Sequence, residues 1–215
     1  RSLHRFLLLA FALTLLAMAT GCLAVGQSFK LAEVMAMLVA SGTYSILIAT
    51  RDRREYVARG AKSPDFVGVL KGGFGNPFDV KNFGGKAFSD TFSDVVSKSL
   101  KAKGYTPSTV VVTPQDTPDQ VRQKMMESPA DRNIFIDVEE WKSESMTRTA
   151  MNYKLTLTVM DNGGNVLAKS AIEGRDVLGG SAFNPAGVAK KRVPVAFKEH
   201  IERLLNDDAV VAVLK

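Results

Sequence analysis

The chain of 215 residues contains very little cysteine and histidine. Cys22 is the single cysteine, and His200 is the one histidine that follows it. A lone cysteine excludes a disulfide within the chain. Because a zinc site needs several cysteine or histidine ligands, the residues after Cys22 predict no metal site.

The sequence also lacks the motifs of common catalytic sites. No Gly-x-Ser-x-Gly turn accompanies His200, and the glycine-rich residues 71–85 match neither the dinucleotide-binding pattern nor the P-loop. The charged neighbours of His200 predict a solvated helix face; they are Lys198, Glu199, Glu202 and Arg203. We therefore expect that the protein is not an enzyme.

The net charge of the chain is +6, which is moderate for its length. Arg1 and Arg5 leave with the amino-terminal segment if that segment is cleaved, which lowers the charge to about +4. An excess of this size does not indicate nucleic-acid binding, so we predict no nucleic-acid partner. It is compatible with an anionic membrane surface.

The first residues combine a basic start with a long apolar run. Arg1 and Arg5 precede the apolar residues 6–18, and Ala19-Thr20-Gly21 stand directly before Cys22. This order is typical of a secretory signal, and it resembles the lipobox of bacterial lipoproteins. The resemblance implies a signal peptide over residues 1–21 and a covalent lipid on Cys22, with no other cofactor. The membrane is then a partner through this lipid.

Two alternatives to lipidation remain open. Residues 6–25 are long enough to span a bilayer, which takes about 20 residues, so one alternative is an uncleaved membrane anchor. The other alternative is that Cys22 is a plain buried thiol. In such lipoproteins an Asp directly after the lipidated cysteine tends to mean retention at the inner membrane. Leu23 stands at that position, which favours the outer membrane and a domain that faces the periplasm. We expect residues 22–43 to form the lipidated terminus and a tether or a short helix.

Beyond residue 43 the sequence alternates between strand and helix patterns. Strands are predicted at residues 44–50, 65–70, 108–113, 133–141, 150–161 and 165–176. Helices are predicted at residues 86–103, 119–127 and 194–206. The order predicts one α+β domain over residues 44–215, with a mixed, mainly antiparallel sheet and two or three helices packed on one face.

Two features are candidates for partner contact. Arg51, Arg53 and Arg54 form a basic cluster after the first strand; pairing with Asp52 and Glu55 is the structural alternative.

The second feature is the glycine-rich loop of residues 71–85, which carries Phe74 and Phe78. Exposed aromatic residues often contact a partner, and the alternative is that they pin the loop to the core. Together with the arginine cluster, this loop is the predicted partner-binding site.

Several stretches resemble a known family. They are the run Thr50-Arg51-Asp52-Arg53-Arg54, the strand Val67-Gly68-Val69-Leu70, the stripe of Phe88, Phe92, Val95 and Val96, and the hairpin strand that runs from Tyr153 to Asp161. The pattern resembles the YajG-type family of periplasm-facing bacterial lipoproteins, and its layout is similar to the auxiliary lipoproteins of ABC-type transport systems. The resemblance implies a non-catalytic envelope protein that is tethered to the outer membrane.

Three functions are consistent with these features. The leading hypothesis is a binding or scaffold module that contacts an envelope protein in assembly or transport. An alternative is a carrier of lipid or a small amphiphile, with an apolar pocket that Met146, Met151 and Met160 help to line. A second alternative is a hydrolase that uses Asp137 and Glu139, which share one strand face; a solvated face is the structural interpretation of the same pair.

Overall fold

The structure, a computed structural model, describes residues 27–215. The predicted signal peptide over residues 1–21 and the predicted lipidation site Cys22 lie outside the described residues. Within residues 27–215, helices pack on an eight-stranded, curled mixed sheet, which confirms the α+β class.

The sheet is built around its three longest strands. The strands in chain order are β1 (Ser28–Phe29), β2 (Ser45–Asp52), β3 (Phe66–Lys71), β4 (Pro77–Asn82), β5 (Thr106–Thr109), β6 (Arg132–Ser145), β7 (Arg148–Asp161) and β8 (Val166–Gly180). Their order is β1-β4-β3-β6-β2-β5, and β7 lies between β6 and β8. The β3–β4, β6–β7 and β7–β8 pairs are antiparallel, and the other pairs are parallel.

Strand β6 changes partner along one of its edges. Its first half, residues 132–138, pairs with β2, and residues 143–145 pair with β3. The opposite edge pairs with β7 along almost the whole strand. The sheet therefore forks between Val138 and Ser143.

Helices cover both faces of this sheet unequally. They are α1 (Glu55–Ala58), α2 (Phe88–Lys101), α3 (Pro118–Met126), α4 (Pro185–Leu205) and α5 (Asp208–Leu214). Apolar residues of α2, α4 and α5 join the main core on one face, where Phe88 stacks on Trp141 with ring centroids 4.7 Å apart. Val121 and Met125 of α3 belong to a smaller core on the other face.

The described part of the amino-terminal segment is not a tether or a regular helix. Residues 27–43 contain β1 and a 3₁₀ turn at Leu31–Glu33, followed by extended chain. Ala36, Leu38 and Ala40 alternate into the core. Residues 27–43 therefore belong to the folded domain, which was predicted to begin at residue 44, because this segment supplies side chains to the main core.

Several elements differ from their predictions or lacked one. Strand β4 occupies part of the predicted loop 71–85, and β5 ends at Thr109 although its prediction ran to residue 113. Helix α4 begins at Pro185 and includes Pro194 in its interior, and α5 lacked a prediction. After β5 the chain stays beside β2 for one more residue, because Val110 N donates to the carbonyl of Ile48 at 2.9 Å, but residues 110–113 form no regular strand.

Candidate functional site

Arg54 lies where the sheet forks. Its guanidinium forms a bidentate ion pair with Asp52, with Nε–Oδ1 and Nη2–Oδ2 distances of 2.8 and 2.6 Å. It also donates to the carbonyl oxygens of Phe66 on β3 and Trp141 on β6. Burial alone lowers the pKa of Arg54, but the hydrogen bond and charge of Asp52 outweigh it, so the pKa is raised. Arg54 thus supplies hydrogen-bond donors to backbone carbonyl oxygens at the point where the strands separate.

Arg51 is a buried residue of β2, whereas Arg54 follows the end of that strand and precedes α1. Arg51 forms a bidentate pair with Asp137, with distances of 3.0 and 2.7 Å, and its Nη1 donates to the carbonyl of Asp116. The exposed fractions of the Arg51 and Arg54 side chains are 2% and 0%. Since buried guanidinium groups do not reach a partner, the prediction that Arg51 and Arg54 contact one is corrected. Arg53 remains half-exposed.

The candidate carboxylate pair is tied to basic side chains. Asp137 lies 3.3 Å from the guanidinium of Arg53 as well as pairing with Arg51. Glu139 lies 3.6 Å from Arg53 and 3.4 Å from Lys154. The two carboxylates share a face, as predicted, and on that face they form a small ion-pair network.

This network borders a cavity between α3 and the sheet. The cavity has a volume of about 400 Å³. Its lining combines apolar side chains with polar and basic groups: Val121, Phe135, Met160, Arg51, Asp137, Thr156, Thr158, Arg122 and Lys169. No group of three or more His, Asp or Glu side chains in residues 27–215 is arranged to hold a metal ion.

His200 is buried, contrary to the prediction of a solvated helix face. Its Nδ1 accepts a hydrogen bond from Trp141 Nε1 at 3.3 Å, and its Nε2 lies 3.4 Å from Asp176 Oδ2. Burial lowers the pKa of His200 to about 4, although Asp176 opposes the shift. Because Trp141 donates to Nδ1, the proton of the neutral ring lies on Nε2. The spacing of His200 from Val193 and Phe197 on the apolar stripe was the signal for burial.

The glycine-rich region is the tip of a β-hairpin. Strands β3 and β4 pair from Phe66 to the Lys71–Pro77 register, and the turn between them contains Gly75 with a φ of +82°. Phe74 at the tip is fully exposed, and Phe78 is 44% exposed. Of the predicted contact residues, Phe74, Phe78 and Arg53 reach the surface, and Arg53 belongs to the ion-pair network rather than to this hairpin.

No helix in the described range 27–215 is both long enough and apolar enough to cross a membrane. This range does not include the apolar run before Cys22.

No family model and no curated protein matches the chain. Among solved structures, the chain is similar to protein XCC0632 of Xanthomonas campestris, family DUF330, with 13% identity and a TM-score of 0.46 over 79% of this chain and 89% of that one. PelC of Paraburkholderia phytofirmans, described as a dodecamer, has 12% identity and a TM-score of 0.41 over 81% and 96% of the two chains. Lipoprotein GNA1162 of Neisseria meningitidis has 16% identity and a TM-score of 0.29 over 73% and 96%. Likenesses this distant carry no functional argument, and the YajG-type family stays a prediction from the sequence.

Proposed function

We propose that this protein is a non-catalytic binding module of the bacterial envelope, anchored in the outer membrane by a lipid on Cys22 and facing the periplasm. The anchor is supported by the resemblance of residues 19–22 to a lipobox. The observation that carries the binding role is the fully exposed Phe74 at the tip of the β3–β4 hairpin.

The hairpin presents this aromatic ring at a distance from the point where the chain enters the domain. Strand β1 pairs with the far end of β4, with Ser28 opposite Lys81. From Lys81 to the tip the hairpin extends for about seven residues, or roughly 20 Å at ~3.3 Å per residue. Aromatic side chains are enriched at the centres of protein interfaces, so Phe74 is placed to meet a partner away from the anchor.

Crosslinking in cells tests the binding role. A photoreactive phenylalanine analogue at position 74 is expected to yield a discrete adduct with an envelope protein. The control carries the same analogue at Val111, which is also highly exposed but lies outside the hairpin. No adduct at position 74, or the same adducts at both positions, contradicts the proposal.

Intact-mass analysis of the membrane-extracted protein tests the anchor separately. We expect a mass that lacks residues 1–21 and gains acyl chains, and a Cys22→Ser variant that gains none. An unprocessed chain without acyl mass supports the uncleaved anchor instead.

A carrier of a small amphiphile is the second candidate, and the cavity beside α3 favours it. Met160 lines this cavity, but Met151 lies in the main core and Met146 is exposed, so the predicted trio does not form one pocket. Extraction of the purified protein with organic solvent is expected to release a ligand, and Val121→Trp is expected to reduce its amount by filling the cavity. If mass spectrometry finds no ligand in either extract, the carrier function is wrong.

A further inference from the structure

We propose that a basic and aromatic surface around Gln27 docks onto the anionic phospholipid headgroups of the membrane that holds the protein. This inference rests on the proposed anchoring and adds an orientation of the domain to it. We call the surface the amino-terminal face; it consists of Lys30, Phe83, Phe183, Lys190 and Lys191.

The described chain begins within this surface. Gln27 Nε2 donates to the carbonyl of Ala186 at 3.0 Å, and the carbonyl of Gln27 accepts from Lys81 N at 3.0 Å. These bonds fix Gln27 between β4 and the first turn of α4. Five residue steps separate Gln27 from Cys22, and they span at most about 17 Å when fully extended. An uncleaved anchor that ends near residue 25 imposes a shorter link still.

Two exposed aromatic side chains flank this entry point. Phe83 directly follows Asn82, which pairs with Phe29 in the sheet, and the Lys30 ammonium lies 5.5 Å from the centroid of the Phe83 ring. Phe183 is fully exposed and precedes Ala186 by three residues. Phenylalanine beside lysine is the composition of surfaces that lie in the headgroup region of a bilayer.

The charge of the face is positive. Lys190 and Lys191 line a shallow surface pocket of about 300 Å³ together with Lys30 and Glu33. Glu33 pairs with Lys30 at 2.8 Å, whereas no ion pair among residues 27–215 engages Lys190 or Lys191. Attraction to a charged surface decays over about 8 Å at physiological salt. The short link between Cys22 and Gln27 keeps Lys190 and Lys191 close to the membrane surface, near the distance over which this attraction acts. An anionic bilayer is therefore the partner that fits this face.

The test uses the full chain purified from membranes and reconstituted into vesicles. A Phe183→Cys variant carries an environment-sensitive fluorophore, and a Phe74→Cys variant carries the same fluorophore on the hairpin tip as the control position. Vesicles contain phosphatidylcholine alone or with phosphatidylglycerol, and nitroxide-labelled lipid quenches a fluorophore that reaches the headgroups. Flotation of the vesicles reports anchoring independently of the label.

We expect quenching at position 183 in anionic vesicles only, and little at position 74 in either kind. Lys190→Gln with Lys191→Gln should lower the ratio of docked to undocked protein by about thirtyfold, since each basic residue near an anionic surface contributes about 1 kcal/mol. The matched control, Arg122→Gln with Lys169→Gln, removes the same charge at the cavity on the other sheet face and should leave quenching unchanged.

Three results overturn the inference. If the protein floats while the label at position 183 stays unquenched, docking is wrong but anchoring stands. If both lipid compositions quench equally, the anionic headgroup is wrong as the partner. If the protein does not float at all, the anchoring itself fails, and docking fails with it.

Discussion

Protonation of His200 is expected to destabilise the folded protein as the pH falls below 6.5. The imidazole is 1% exposed and accepts a hydrogen bond from Trp141 through Nδ1. A proton on that nitrogen removes the acceptor and places a positive charge in the core. Asp176 faces Nε2 and Tyr153 packs on the ring, while Arg203 adds a like charge that lowers the pKa further.

The sign and the size follow from the two pKa values. The ordinary value of 6.5 describes the unfolded chain, and the folded value is about 4. Between these values the unfolded state binds a proton that the folded state does not, so the free energy of unfolding falls as the pH falls. The slope is about 1.4 kcal/mol per pH unit, which amounts to about 3 kcal/mol across the window. Above pH 6.5 this contribution is fully present.

Other groups of residues 27–215 with a resolved acidic shift act at lower pH. Four carboxyl groups have a lowered pKa, and side-chain hydrogen bonds are the largest cause of each shift: Asp116, Asp131, Glu144 and Asp161. Their contribution to the free energy of unfolding is lost only when the pH falls below their ordinary pKa values of 3.8 to 4.5. The interval between 6.5 and 4.5 therefore isolates His200.

Urea unfolding followed by Trp141 fluorescence measures this effect, because the ring of the single tryptophan contacts His200. The matched control is His200→Gln, which keeps a hydrogen-bonding side chain without a titrating group. The stability difference between wild type and variant should shrink steadily as the pH falls through the window. A difference that stays constant from pH 6.5 to 4.5 would refute the reasoning.

Two further substitutions test the fork of the sheet. Arg54→Met leaves Asp52 buried without its partner and should cost about 3–5 kcal/mol in urea unfolding; adding Asp52→Leu should recover part of this loss, and no recovery contradicts the ion-pair argument. Gly68→Ala should cost about 1–3 kcal/mol, because a Cβ there meets the Ser143 backbone oxygen at 2.7 Å. The control Gly73→Ala, with open space around its Cβ, should be near neutral in the same assay.

The sequence was most informative where local pattern and tertiary packing agree. The strands predicted over residues 150–161 and 165–176 form the β7–β8 hairpin, and Gly164 in the turn between them has the positive φ of +75° that this turn needs. The apolar stripe of α2 was equally clear, and the helix runs from Phe88 to Lys101.

Elements held by distant contacts were less predictable. The 27–43 segment is extended because Met37 N donates to Glu202 and Val39 N donates to Asn206. These contacts span more than 160 residues, and no local pattern encodes them. Similarly, the burial of Arg54 depends on where β6 exchanges β2 for β3, which becomes apparent only when the sheet is assembled.

The extended segment also bears on how the domain is held. From Gln27 onward, strand pairing and contacts with α2 and α4 fix the chain to the body, including a bond from Ala36 N to Ser99 Oγ. Only five residue steps therefore separate the proposed anchor at Cys22 from the fixed Gln27. A link this short restricts which surface meets the bilayer, whereas a tether that ran to residue 43 would leave the domain free to turn. The same packing thus separates the face at Gln27, which we propose meets the membrane, from the hairpin tip at Phe74, which we propose contacts a partner.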